Sequence, residues 1–138
     1  MRFIVLVTGG KQAESGAMPD KKHLEEMGKF NEEFANAGMM LAGEGLHPSS
    51  RGSRIRFANS KPTVVDGPFA ETKELVAGYW VLQAESKDNA IEWMKRAPFQ
   101  DCELEIRQIM EDEEFAYAPE VMERDKKLRA RIARNQRH

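Results

Sequence analysis

A single cysteine, Cys102, leaves the chain unable to form an internal disulfide, which points to a reducing compartment, the cytoplasm. Long apolar runs are missing too. The longest, Phe3 to Val7, is far below the roughly 20 residues that cross a bilayer. It also falls short of the ~7 to 15 residues of a signal-peptide core, and Gly9-Gly10-Lys11 stands where a small-residue cleavage motif would be needed. No CxxC, HExxH, Walker-type phosphate loop or GxSxG pattern occurs, so zinc, nucleotide and serine-hydrolase chemistry are unsupported, and neither a metal nor an organic cofactor is expected. Internal repeats and low-complexity stretches are likewise absent.

With 41% hydrophobic and 32% charged residues over 138 positions, the composition describes one globular domain with a short appendage. A large excess of one charge is missing overall, at −2, but the halves differ: residues 1–118 hold 14 Lys/Arg against 20 Asp/Glu, and residues 119–138 hold 7 against 3. An acidic body, 1–118, and a basic helical extension, 119–138, are expected. The extension is expected to dock on an acidic surface, either residues 111–114 or a partner subunit. Nucleic-acid binding is the sharper alternative and is disfavoured, because the tail has no aromatics and the body repels phosphates.

Periodicity supplies the elements. Phe3 to Val7, ended by Thr8-Gly9-Gly10, predicts a central strand covered on both faces. After a polar loop over residues 11–18, Pro19-Asp20 starts a helix with Leu24, Met27, Phe30 and Phe34 on one face, stopped by Gly38. Residues 39–42 form a short apolar strand ending in Gly43-Glu44-Gly45. Residues 54–57 and 63–65 predict a hairpin with one wet face, joined by a loop over 58–62. A longer strand follows over 76–84, with Trp80, Leu82 and Ala84 on one face. Ser86 caps a second helix that buries Ala90, Ile91 and Met94 and breaks at Ala97-Pro98. Residues 103–110 complete the sheet, and Pro119 opens a third helix to about Asn135 with a thin stripe of Val121, Leu128 and Ile132.

With the hairpin set aside, the order is β-α-β-β-α-β, the ferredoxin-like split unit, an α+β fold. Two helices cover one sheet face. The other face has apolar residues and no helices, so burial at roughly 25 cal/mol per Å² favours a homodimer with sheets face to face.

The most specific stretch is Val64 to Trp80, VVDGPFAETKELVAGYW. Asp66-Gly67-Pro68-Phe69 joins a residue that bonds its own backbone, one free to take positive φ, one with φ fixed, and a large apolar anchor, so the chain turns sharply there. Glu71, Thr72, Lys73 and Glu74 follow before the next strand, and loops held by rigid strands are where binding chemistry concentrates. This stretch, with Gly43-Glu44-Gly45-Leu46-His47-Pro48 before it and Gly78-Tyr79-Trp80 at its end, resembles the DGPF-motif branch of the YCII-related proteins over roughly residues 1 to 110. The resemblance implies a ferredoxin-like fold pairing into a dimeric α/β barrel, and a polar pocket suspected of enzymatic activity. It further implies, for some members, an association with extracytoplasmic-function sigma factors.

His47, on a loop past a strand end, suits acid–base work because its ordinary pKa is close to neutral, or it bonds a backbone carbonyl. Asp66 either faces the pocket or makes an Asx-turn. His47 and Asp66 are the expected catalytic pair, and Glu44, Arg54, Glu71, Lys73 and Glu74 the expected ligand-binding set. Arg54 and Arg56 share the hairpin's polar face, where an ion pair to Asp66 or Glu44 competes with an anion site. YCII relatives often carry a His-Leu pair on the first helix, here His23-Leu24, whose histidine is suspected of partnering an aspartate before a Pro-Phe pair; here Ala97 precedes Pro98-Phe99. Cys102 is expected to be a small buried hydrophobe and the eight methionines core filler. Two functions stand: a small cytoplasmic enzyme acting on a small polar substrate, and a non-catalytic module that binds a metabolite or a regulatory protein such as a sigma factor.

Overall fold

In the computed structural model, which describes residues 1–71 and 74–136, the N-terminal apolar run forms β1 (Arg2–Thr8) with Phe3 and Val5 fully buried. Lys11–Glu14, expected as loop, closes one helical turn, α1. Asp20 caps α2 (Lys21–Asn36): its carboxylate accepts the His23 N–H at 2.8 Å, and Phe30 and Phe34 turn into the core. Gly38, at φ 76°, releases the chain from the helix in a conformation that a side chain would resist. It then enters β2 (Met40–Gly45), where the Gly-Glu-Gly triplet is strand, and a 3₁₀ turn at Ser49–Arg51 follows.

Strands β3 (Ser53–Ala58) and β4 (Lys61–Asp66) pair only with each other. Their connection is two residues rather than five, since Asn59 (φ 51°) and Ser60 (φ 66°) both take the left-handed conformation that matches the strands' twist. The ribbon is also wetter than its alternation predicts. Ile55, Phe57 and Val64 are 60%, 71% and 64% exposed, so both faces meet solvent. Next come β5 (Val76–Gln83), α3 (Lys87–Met94) and β6 (Glu103–Gln108). The Ser86 hydroxyl accepts the Asn89 N–H and starts α3 as expected; Ala90 and Met94 are buried, Ile91 only half-buried, and the helix ends three residues before Ala97.

The four-stranded sheet has the order β2-β5-β1-β6, every neighbour antiparallel, which is the arrangement of a ferredoxin-like α+β fold. Its helical face holds the core: Phe3, Val5, Trp80 and Leu82 from the strands against Phe30, Phe34, Ala90 and Met94 from the helices. A bulge between Met40 and Ala42 turns Leu41 outward. Register places Tyr79 opposite Leu6 and Val81 opposite Ile4 on the other face, all four half-buried.

The chain divides into two compact units, Met1–Gln108 and Ile109–His138. In the second, a 3₁₀ turn (Asp112–Phe115) carries reciprocal capping by Glu111 and Glu114, and α4 (Pro119–Asn135) begins at a proline. Arg129 reaches back to Asp112 at 3.1 Å, inside the acidic stretch expected to receive the basic tail. Val121, Leu128 and Ile132 remain 44–49% exposed.

Candidate functional site

Three chain segments meet at one serine. The Ser49 amide and hydroxyl donate to the two oxygens of Glu14 at the end of α1, at 3.0 and 2.6 Å, and the Ser49 hydroxyl oxygen accepts the Phe69 N–H at 3.0 Å. The Gly67 N–H donates to the Gly52 carbonyl at 3.0 Å, drawing the Asp66–Phe69 turn against the loop between β2 and β3. Gly67 is obligatory here, because a Cβ on it would fall onto the Ser49 carbonyl oxygen. The Gly67-Pro68 peptide is cis. The turn anticipated from Asp-Gly-Pro-Phe therefore exists, fastened by Ser49 and Glu14, two residues that carried no signal in the sequence. Ser49 is an unremarkable loop serine until its partner 35 residues away is known.

Asp66, the last residue of β4, accepts the Ser53 hydroxyl at 2.7 Å across the ribbon's base rather than bonding the turn it precedes. Arg54 makes neither expected ion pair; its guanidinium lies 3.8 Å from the centre of the Phe69 ring. Phe69 thus anchors the turn in two ways, by its backbone to Ser49 and by its ring to Arg54. The Glu74 N–H donates to the Glu71 carbonyl at 3.0 Å. The Glu74 carboxyl is raised above the usual carboxylate range by a hydrogen bond to the Glu71 carboxylate and by its charge, with Arg54 pulling the other way. Lys73 lies outside the described residues. His47 and Glu44 are exposed, Glu44 in β2 and His47 just beyond it, and neither side chain bonds to another described residue. Arg56 is exposed on the ribbon.

The residues implicated by relatives sit elsewhere. His23, on the first turn of α2, is half-buried with its ring 6.1 Å from that of Phe99. Phe99 continues into an aromatic row with Trp80 and Phe30, and the Trp80 indole N–H donates to Asn31 at 2.9 Å. The histidine does face the Pro-Phe pair, and half-buried Ala97 offers it no carboxylate. Cys102 is exposed rather than buried; desolvation at its thiol and the neighbouring Asp101 push its pKa up, against the thiolate. Of the methionines, Met39 and Met94 are core and Met27 and Met40 pack against it, while Met1, Met18 and Met110 are exposed. An open groove of about 430 Å³ between α3 and β6, with Ile91, Met94, Leu104 and Ile106 between Lys87 and Lys95, shares no residue with the candidate set. Among the described residues no group of three His, Cys, Asp or Glu could hold a metal ion, and no helix is long and apolar enough to cross a membrane.

Compared with known proteins, residues 1–115 match the model of the YCII-related domain. An uncharacterised protein of Rhizobium meliloti (strain 1021) is 26% identical over 76 residues, which are 55% of this chain and 61% of that protein's length.

Proposed function

The chain belongs to the YCII-related family, and from that membership and the loop cluster around Ser49 we propose a site that handles a small polar substrate by acid–base chemistry. The observation that carries the reading is the joining of α1, the β2–β3 loop and the β4–β5 turn into one polar cluster. His47 moves the proton, Asp66 orients the imidazole or the substrate, and Glu44, Arg54, Glu71, Lys73 and Glu74 position the ligand. Separate His47→Ala and Asp66→Asn variants, compared with the wild type on a panel of small carboxylic and amino acids, test it. A loss of about 100-fold or more in kcat with binding retained is expected; unchanged turnover in both variants removes the assignment.

A second reading is a non-catalytic module that binds a metabolite or a regulatory protein such as an extracytoplasmic-function sigma factor. It is favoured by the Asp66 carboxylate being taken by Ser53 and not by an imidazole. A stoichiometric protein partner that copurifies equally with the His47→Ala variant would select it.

We also place the chain in the DGPF-motif branch, on the strength of Asp66-Gly67-Pro68-Phe69 and its fastening, and read the β3–β4 ribbon as an insertion into the βαββαβ order. The half-exposed Ile4, Leu6, Tyr79 and Val81 support a homodimer with sheets face to face, as in a dimeric α/β barrel. An unpaired cysteine supports a cytoplasmic location.

A further inference from the structure

Within the unit Met1–Gln108, the β3–β4 ribbon presents an apolar face that no other described residue of that unit covers. Register pairs Ile55 with Val64 and Phe57 with Pro62, so four apolar residues sit together on one side, while Arg54, Arg56 and Lys61 all lie on the reverse. The exposures of 60%, 71% and 64% at Ile55, Phe57 and Val64 mean that most of each side chain meets water. No ladder bond joins the ribbon to the main sheet, and a two-stranded ribbon is marginal by itself in water. Even so, its turn residues and its unbroken six-pair register specify it closely.

We infer that this face packs on a second copy of the chain, the ribbon acting as an arm of the homodimer proposed above, on which the inference rests. Three observations select that occupant. A ribbon that needs a cover needs it whenever the chain is folded, and a second copy is the partner always present. The middle of the face carries no charge, Asp66 lies at its end and the three cations point away, so a self-contact through the middle brings no like charges together. Area points the same way. A stable interface needs about 800 Å² per partner, whereas a ribbon face of four residues supplies on the order of a few hundred. The half-exposed sheet back, with Ile4, Leu6, Tyr79 and Val81, is the other apolar surface left open, and a partner that covers both adds its area to the ribbon's.

The test is sedimentation over a concentration series for the wild type and for Phe57→Glu, Ile55→Lys and Leu6→Glu, with circular dichroism to check folding. Because Phe57 and Ile55 are exposed in the single chain, their variants keep the fold; each raises the dimer dissociation constant by about 100-fold or more. Amide exchange of the wild type reads the ribbon directly: residues 55–65 are protected in the dimer and exchange at least ~10-fold faster once dilution separates the copies. A dimer that survives both ribbon changes but is dissociated by Leu6→Glu overturns the arm and leaves the sheet-to-sheet homodimer standing. So does ribbon exchange that is indifferent to concentration. A wild type that stays monomeric at every concentration removes both.

Discussion

Gly67 is the single position on which the candidate site most depends. Its missing side chain lets the turn lie against the Ser49 carbonyl, and Gly67→Ala forces either that carbonyl or the turn to move. A loss of about 2–4 kcal/mol in denaturant unfolding is expected. Ser49→Ala strands a half-buried Glu14 oxygen and the Phe69 amide, and about 1–3 kcal/mol is expected there by the same measurement. At Glu74 the raised carboxyl pKa has a definite sign. A carboxyl whose folded pKa lies above its unfolded value helps the fold below the unfolded pKa and loses that help as pH rises through the folded one. The Glu71–Glu74 contact therefore holds in acid and loosens as pH rises and the Glu74 carboxyl ionises. Carbon-detected NMR titration should find Glu74 above the ordinary glutamate range, and Glu71→Gln, which removes the neighbouring charge, should bring it down. From sequence, the turn and its anchor were readable because Gly, Pro and Asp act on the chain locally. The partners Ser49 and Glu14 were not, since a serine that holds two distant segments looks like any other loop serine.

Among the elements, those announced by caps appeared where the caps stand: Asp20 for α2, Ser86 for α3 and Pro119 for α4. Ser86→Ala removes an acceptor from the first turn of a helix of only eight residues, and should lower thermal stability by about 1 kcal/mol. Boundaries set by pairing were less legible. Gly43-Glu44-Gly45 reads as a loop by composition and is strand because its backbone lies opposite Gly78-Tyr79-Trp80. Asn59-Ser60 lies within the loop over residues 58–62 that the sequence predicts, and a serine at positive φ gives no sequence signal of a two-residue turn. Relieving that residue by Ser60→Gly should stabilise the ribbon by about 1 kcal/mol, visible as slower amide exchange across β3 and β4.

For the molecule as a whole, β-α-β-β-α-β was legible because short apolar or alternating runs mark the strands and a period of three and four marks the helices, and the sheet order follows from that connectivity. What alternation could not reveal is that the ribbon stands apart from the sheet, since a strand's own residues do not say which edge it joins. The core is small enough for one residue to matter. Phe34→Ala, at a fully buried ring stacked on Phe30 and close to Trp93, should cost about 3–5 kcal/mol in chemical unfolding. Both tryptophans, Trp80 and Trp93, belong to the unit Met1–Gln108, and Ile109–His138 has neither. Tryptophan emission, excited apart from that of Tyr117, consequently originates in that first unit and not in the basic helix. An emission trace follows the α+β body alone, while helical ellipticity and calorimetric heat register both units, and a mismatch between the optical and thermal midpoints would date the loosening of the tail without any added label.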